Sequence, residues 1–214
     1  MESVKDWFTQ HVQKPLAIHG IPIYLASKSI TNTLKKPGPV FVAMARELYT
    51  THNTDYYYRV NDDTEFLVSW PSKFVHTLRQ LTAPYGVVGP YCDQGNKLIL
   101  THDFVHKTHM EIFEMNYYPV ELVDWWMDDW ISFVYGKSRT FKARQVPVIH
   151  HTGAHGQRYE VDQANGKKLK GLVEKGRQQI RKWILKHYQG QDDLVLKKFD
   201  LDIYKDFKHN NIPS

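Results

Sequence analysis

Cysteine is nearly absent from the chain, with Cys92 as the single one among 214 residues. One cysteine excludes a disulfide framework within the chain and any zinc site built from several thiolates. Long apolar runs are also missing, because none approaches the ~20 residues that a membrane span needs. The first 13 residues carry Glu2, Lys5 and Asp6 and lack the apolar core of a secretory signal. These absences predict a soluble protein without a membrane span, and they permit a reducing compartment.

The net charge of +5 is localised at the C-terminus. The segment 166–214 holds 12 Lys/Arg against 6 Asp/Glu, whereas the remaining residues hold 16 against 17. A neutral body argues against a nucleic-acid groove, so no nucleic-acid partner is expected. Glycine-rich nucleotide motifs are lacking as well: the chain has neither a P-loop nor a dinucleotide fingerprint, and no GxSxG nucleophile elbow.

Hydrophobic periodicity and turn residues predict alternating strands and helices. Predicted strands cover residues 21–26, 56–60, 85–89, 98–101 and 146–149. Predicted helices cover residues 40–50, 70–81, 106–113, 123–134 and 166–188. This alternation predicts an α/β fold with a mostly parallel central sheet flanked by helices. We expect a single domain over residues 1–190 and a polar tail over residues 191–214.

Two adjacent carboxylates, Asp62 and Asp63, follow the aromatic strand 56–60 directly after Asn61. Neighbouring like charges need a counter-charge, and a divalent cation such as Mg²⁺ or Mn²⁺ prefers hard oxygen ligands of this kind. A cation held there could bridge a diphosphate leaving group. The same residue types also dominate turns and helix caps, so a structural role is an equal alternative.

A second acidic segment, VDWWMDDW, places three carboxylates among three indoles. Asp124 and Asp128 share a helical face, and Asp129 points about 100° away. A carboxylate beside an aromatic wall has a raised pKa and can serve as a general base. Helix capping and pairing with lysine is the structural alternative.

Histidines occur in two groups. His102, His106 and His109 stand at helical ligand spacing, but the glutamate of a zinc-hydrolase HExxH motif is missing. His150 and His151 follow the strand 146–149, and either is a better candidate for a further ligand to a metal held by Asp63. A histidine at a strand end is more often a plain hydrogen-bonding residue.

Six segments in a fixed order resemble GT-A-fold glycosyltransferases, in particular the small nucleotide-sugar transferase domains of large algal DNA viruses and of protists. They lie within residues 37–159 and read YRVNDDTEF, GVVGP, GNKLILTHDFVHKTH, YYP, DWWMDDWISFVYG and VIHH. The resemblance implies a GT-A-like fold, a nucleoside-diphosphate sugar donor with uridine as the expected nucleotide, and a carbohydrate or glycoprotein acceptor. It also implies Mn²⁺ or Mg²⁺ as cofactor and a role in glycan biosynthesis.

The resemblance also implies roles for individual residues. Asn61-Asp62-Asp63 matches the family's DxD motif, with Asp63 as metal ligand and Asp62 facing the ribose or the sugar. The later acidic motif matches Asp128 and Asp129, and the C-terminal metal-binding histidine matches His150 or His151. The remaining donor-site residues implied are Arg59, Gly95, Asn96, His102 and Asp103, with Lys142 or Arg158 near the diphosphate.

One departure from the family pattern concerns the segment before Asn61, where about 60 residues hold one clear predicted strand. The nucleotide-binding part is therefore expected to be shortened. A host-cytoplasmic location is expected if the chain is viral, and a Golgi-lumenal one if it comes from a longer anchored protein. Two alternatives stay open: a histidine-rich metal-dependent hydrolase and a non-catalytic carbohydrate-binding module.

Overall fold

The computed structural model describes residues 3–80, 85–153, 156 and 160–187, and the chain divides into two compact units, 1–31 and 32–214. The first unit contains α1 (Val4–Phe8), a π-helical segment (Thr9–Gln13) and α2 (Lys14–Ile18), none of which has a buried residue. The predicted strand over 21–26 is wrong. Its apolar residues lie at the surface, and none of the strands in the described part of the chain pairs with it.

The second unit contains the sheet and the remaining helices. The strands are β1 (Tyr56–Arg59), β2 (Thr64–Phe66), β3 (Val87–Cys92), β4 (Asp103–His106) and β5 (Thr140–His150). The α-helices are α3 (Pro37–Glu47), α4 (Pro71–Gln80), α5 (Thr108–Ile112), α6 (Trp126–Val134) and α7 (Gly166–His187). Shorter helical segments cover Leu48–His52, Lys137–Arg139 and Gln163–Asn165. Within the described residues, no helix is both long and apolar enough to cross a bilayer.

The five strands form one mixed sheet in the order β1-β4-β3-β5-β2. Only β3 and β5 pair in parallel; the other three pairings described are antiparallel. The mixed α/β class is thus confirmed, whereas a mostly parallel sheet is not. The difference arises at β4 and β2, neither of which was predicted as a strand. β4 pairs antiparallel with both of its neighbours, and β2 pairs antiparallel with β5. The predicted strand 98–101 is an irregular connection that leads into β4.

Helices cover both faces of this sheet. On one face, α4 packs Phe74 and Leu78 against Val88, Phe104 and other sheet residues. On the other face, the larger core joins the sheet to α3, α5, α6 and α7. Consecutive strand residues point to opposite faces, so Val87 and Val88 belong to different cores. Because helices cover both faces of the sheet, the strand ends and the connections between strands are the parts that can form a site.

The β1–β2 connection is short although its two strands lie at opposite edges of the sheet. Between the last Cα atom of β1 and the first Cα atom of β2, the fully extended chain spans at most about 18 Å. Four strand spacings in a flat sheet need roughly 19 Å. Because Asp62 and Asp63 form a turn rather than an extended chain, the sheet has to curl. Curling brings the connection over the end of the sheet.

Several predicted features lie outside the described residues. They are Leu81 at the end of a predicted helix, the candidate diphosphate residue Arg158, and the tail 191–214.

Candidate active site

A cavity of about 660 Å³ lies in the second unit, within the range of roughly 300–1,000 Å³ typical of small-molecule sites. Its wall is formed by the turn before α3 with the first half of that helix, the β1–β2 connection, the start of α6, and the end of β5. The polar residues that line it are Asn32, Lys35, Lys36, Arg59, Asn61, Asp62, Asp63, Asp128, His150 and Thr152. Segments far apart in sequence therefore supply one concave polar surface.

Asp63 and His150 come together because β2 pairs antiparallel with β5. The register sets Thr64 opposite His150, and the His151 backbone N–H extends this pairing by donating to the Asp63 carbonyl at 2.9 Å. The Asp63 Oδ1 atom lies 3.0 Å from His150 Nε2, and both side chains are largely buried, 12% and 14% exposed. The structure thus brings together two of the three predicted metal ligands.

The surroundings of this pair fit a cation. The Asn61 amide nitrogen lies 3.1 Å from His150 Nε2. If this amide donates its hydrogen to Nε2, then Nε2 carries no proton and cannot donate to Asp63. Asp63 Oδ1 accepts no hydrogen bond within the described structure although it is buried. An aspartate oxygen and an imidazole nitrogen are both common ligands of divalent metals, and a cation bound at His150 Nε2 would displace the Asn61 amide. In the described part of the chain, no group of three or more His, Cys, Asp or Glu side chains could hold a metal.

His151, the other predicted histidine ligand, lies away from this pair. Its Nε2 atom is 2.9 Å from Glu65 Oε2, and both side chains are about half exposed. Successive residues of an extended strand alternate between its two faces, which separates His151 from His150. The geometry therefore selects His150 of the two candidates.

Arg59, at the end of β1, is the buried centre of the site's polar network. Its guanidinium donates to Asp103 Oδ2 at 2.8 Å from Nη2, to the Tyr118 hydroxyl at 2.9 Å and to the Thr101 carbonyl at 2.7 Å. It also forms an ion pair with Asp128. Burial opposes the positive charge, but these neighbours outweigh it and raise the pKa of Arg59 further above its usual value.

Asp128 projects from the first turn of α6 to the cavity, where a fifth of its side chain is exposed. Burial raises the pKa of Asp128 to about 7, against the opposing effect of Arg59. One guanidinium faces two carboxylates here, Asp103 and Asp128, so a proton on Asp128 leaves the cluster neutral. A carboxyl group with a pKa near 7 is suited to accept or release a proton at neutral pH.

Asp129 and Asp124 are positioned differently from Asp128. Burial raises the pKa of Asp129 to about 6, but this residue is not part of the cavity wall. Asp124 is fully buried, accepts from the Asp162 backbone N–H at 2.9 Å, and lies 3.9 Å from Lys36 Nζ. Asp124 therefore holds the segment before α7 in place, and Asp128 is the acidic residue of this group that lines the cavity.

His102 and Asp103, both predicted to line the donor site, are fully buried beneath the cavity wall. Asp103 accepts hydrogen bonds from the Tyr117 and Tyr118 hydroxyls at 2.6 and 2.7 Å, in addition to Arg59. His102 contacts Thr64 Oγ1 through Nε2 at 2.7 Å, and its ring packs edge-on against His150. Burial lowers the pKa of His102 to about 3, so its imidazole is neutral. These two residues support Arg59 and His150 from below.

Three further residues implied by the resemblance lie away from the cavity wall. Gly95 has a left-handed backbone with φ of 80°, and Asn96 accepts from the Leu98 backbone N–H, so both build an exposed turn after β3. Lys142 donates to the Lys97 carbonyl at 2.7 Å. The same loop contributes indirectly, since Gln94 Oε1 accepts from the His150 backbone N–H at 3.1 Å.

The histidines of the hydrolase alternative have separate partners. His109 is buried between the Tyr135 hydroxyl and the Tyr117 carbonyl, each at 2.8 Å, and burial lowers the pKa of His109 to about 4. His106 contacts Thr108 at the start of α5. The three histidines would share one face only if a single helix carried them. They lie instead just before β4, at the end of β4 and in α5.

The aromatic residues near the site divide into core and surface. Tyr117 and Tyr118 are buried, and the Trp126 indole packs on Gly166 and donates to the Asp162 carbonyl at 3.1 Å. Trp125 is 49% exposed and lines the cavity. Of Tyr117, Tyr118, Trp125 and Trp126, Trp125 is the one with an accessible face at the cavity, where a sugar ring could stack.

Sequence reasoning missed the turn before α3 as part of the site. Lys35 and Lys36 both line the cavity together with Asn32. Two adjacent lysines before a proline carry no site signal of their own. Their proximity to Asp63 depends on how α3 packs on α6, which local patterns do not reveal.

Comparison of the chain with protein-family models, with curated proteins and with solved structures found no match.

Proposed function

We propose that this chain is a metal-dependent glycosyltransferase that moves a sugar from a nucleoside-diphosphate donor, with uridine as the nucleotide, to a carbohydrate or glycoprotein acceptor. The observation that carries the proposal is the cavity that gathers Asp62, Asp63, His150 and Asp128 from three distant segments. A GT-A-like arrangement of the mixed sheet belongs to the same proposal.

Asp63 Oδ1 and His150 Nε2 would hold Mn²⁺ or Mg²⁺ in this account. Two protein ligands leave most of the coordination shell to the donor diphosphate and water, as is common for Mg²⁺ bound with phosphates. When bound, the cation supplies positive charge to the departing nucleoside diphosphate. Asp62 is exposed at the same cavity and would accept hydrogen bonds from the ribose or sugar hydroxyls.

Asp128 is the residue we assign to the acceptor side. In an inverting reaction, its carboxylate would take the proton from the acceptor hydroxyl, for which a pKa near 7 is well matched. In a retaining reaction, its negative charge would stabilise the oxocarbenium-like transition state instead. Arg59 fixes the carboxylate in position through their ion pair. Trp125 would provide the face on which the acceptor sugar stacks.

A non-catalytic carbohydrate-binding module is the second candidate, favoured by the exposed Trp125 indole at the cavity. It differs from the transferase in two measurable ways. A binding module retains sugar affinity without metal or nucleotide, and it releases no nucleoside diphosphate. The hydrolase alternative has less support, because His106 and His109 have partners of their own and no three described histidines form a metal-binding group.

The proposal is tested by measuring release of nucleoside diphosphate from a panel of sugar nucleotides, with and without Mn²⁺. We expect slow metal-dependent release from at least one donor, and acceleration when a suitable acceptor is added. The Asp63→Asn variant should lose this activity while remaining folded. Activity that persists unchanged in Asp63→Asn would show the metal assignment to be wrong.

A further inference from the structure

We propose that Lys35 is the anion-binding residue of the cavity and contacts the donor diphosphate through its ammonium group. The inference rests on the proposed function, since it concerns the substrate of the same cavity. It is based on three observations: the partners of the other cavity cations, the geometry of the turn that carries Lys35, and the blocked N-terminus of α3.

The other cationic side chains of the cavity have partners. Lys36 Nζ donates to the Glu160 carbonyl and lies 3.9 Å from Asp124, and Arg59 is held by Asp103 and Asp128. His150 faces Asp63. Among the described residues, none approaches the Lys35 side chain closely enough for a hydrogen bond or ion pair, and this side chain is exposed at the cavity wall.

The turn that carries Lys35 is rigid at its base. The Asn32 side chain donates to the Lys36 carbonyl at 2.9 Å and accepts from the Lys36 backbone N–H at 3.3 Å. The Lys35 backbone N–H donates to the Asn32 carbonyl at 3.2 Å, and Lys35 itself has a φ of 52°. Lysine is an unfavourable residue for this left-handed conformation, in which Asn and Gly are preferred. The turn itself therefore gives no reason for a lysine at this position.

The N-terminus of α3 adjoins this turn but offers little to an anion. Pro37 and Pro39 have no backbone N–H, and the Gly38 N–H donates to the Val123 carbonyl at 2.9 Å. The backbone groups that usually bind phosphate at a helix start are therefore absent or occupied. An anion at this wall of the cavity would meet the Lys35 ammonium instead.

A diphosphate is the anion that this arrangement suits. Asp62 and Asp63 line the same cavity, and their negative charge repels a bare anion. A diphosphate held through a divalent cation at Asp63 and His150 would keep further charged oxygens that can accept from a cationic side chain. A flexible lysine is a common ligand for such oxygens.

The test compares UDP and inorganic pyrophosphate as ligands, each with Mg²⁺, by titration calorimetry on the full chain. Lys35→Asn removes the charge and suits the left-handed turn, so we expect an unchanged or higher melting temperature. We expect its affinity for both ligands to fall about tenfold or more, as for loss of a charge-assisted hydrogen bond. Lys35→Arg should restore most of the affinity. Lys170→Ala, at an exposed position on α7, is the matched control and should bind like the wild type.

The outcomes separate the two proposals. If the wild type binds UDP and Lys35→Asn binds it equally well, the assignment of Lys35 is overturned and the proposed function stands. If the wild type binds pyrophosphate in a Lys35-dependent manner but does not bind UDP, the assignment stands and the transferase proposal fails. Absence of binding by the wild type to either ligand overturns both.

Discussion

The register between β2 and β5 determines that Asp63 and His150 lie next to each other. The pairing of Thr64 with His150 aligns the two candidate ligands, and the Asn61 amide nitrogen contacts the same imidazole nitrogen at 3.1 Å. Below them, His102 is neutral and buried, and its ring supports His150. The metal assignment therefore depends on one histidine of an adjacent pair.

The His150/His151 pair provides a direct prediction. His150→Ala should abolish metal-dependent donor binding because it removes one of two protein ligands, whereas His151→Ala should retain it. His151 contacts Glu65 at the surface, so its loss should change the free energy of unfolding by less than ~1 kcal/mol. Calorimetry with donor and Mn²⁺ measures both variants. Equal loss in the two variants would contradict the assignment.

Asp128 leads to a prediction about pH. In the folded state Asp128 has a pKa of about 7, and in an unfolded chain about 3.9, so the folded state binds the extra proton between these values. Asp128 therefore contributes stability that is present below pH 4 and is lost as the pH rises through 7.

Asp128→Asn cannot titrate and should lose this contribution to the pH dependence. Relative to the wild type, its free energy of unfolding should rise by ~3 kcal/mol between pH 4 and pH 8. Urea unfolding at several pH values measures this difference. A constant difference between variant and wild type over that range would show that Asp128 ionises normally.

Trp125 and Trp126 are adjacent in sequence but should behave differently. Trp125→Ala should change stability by less than ~1 kcal/mol and raise the KM for a sugar acceptor several-fold, because its exposed face lines the cavity. Trp126→Ala should destabilise the fold by ~2 kcal/mol, because that indole packs on Gly166 and donates to Asp162. Acceptor kinetics and urea unfolding test the pair. Unchanged acceptor kinetics in Trp125→Ala would remove its proposed role.

At the scale of elements, α6 and α7 pack closely and hold Asp128 in position. The close approach is possible because α7 has a glycine at position 176, where a Cβ atom would lie 2.6 Å from Val134 and 3.1 Å from the Trp130 ring. The buried stripe of α7 continues through Leu169, Val173 and Ile180. This helix was predicted correctly from its periodicity alone.

Two glycines on α7 form a matched pair for testing this packing. Gly176→Ala should destabilise the chain by ~1–3 kcal/mol, because the added methyl group overpacks the contact with α6. Gly171→Ala, with no atom within 4 Å of its Cβ position, should stabilise it by ~0.5–1 kcal/mol through helix propensity. Urea unfolding distinguishes these signs. A stabilising Gly176→Ala would mean that the two helices lie further apart.

Local sequence patterns predicted the helices and strands that have a clear hydrophobic periodicity. They failed for segments whose structure depends on pairing with a distant strand. The helices 40–50, 70–81 and 123–134 and the strand 56–60 were predicted close to their observed positions. The strand β4 was missed because its residues gain extended structure from β1 and β3, which are distant in sequence. The apolar segment 21–26 has the composition of a strand, but it pairs with none of the five strands that the structure describes.

For the molecule as a whole, the candidate site was only partly predictable. Asn61, Asp62, Asp63, Asp128 and His150 line one cavity, as expected of residues that share a task. The supporting roles of His102 and Asp103 depend on burial, which residue type alone does not reveal. The turn at Lys35 enters the site through tertiary packing. The sequence thus identified the side chains with suitable chemistry. Which of them line the cavity and which support it from below became clear only from the fold.

The central claim is that this cavity binds a nucleoside-diphosphate sugar through a divalent cation. Titration calorimetry with a panel of such donors, with and without Mn²⁺, tests it most directly on the intact folded chain. The account predicts binding of at least one donor that requires Mn²⁺ and is lost in Asp63→Asn. Failure of every donor to bind the folded wild type in the presence of Mn²⁺ would contradict it.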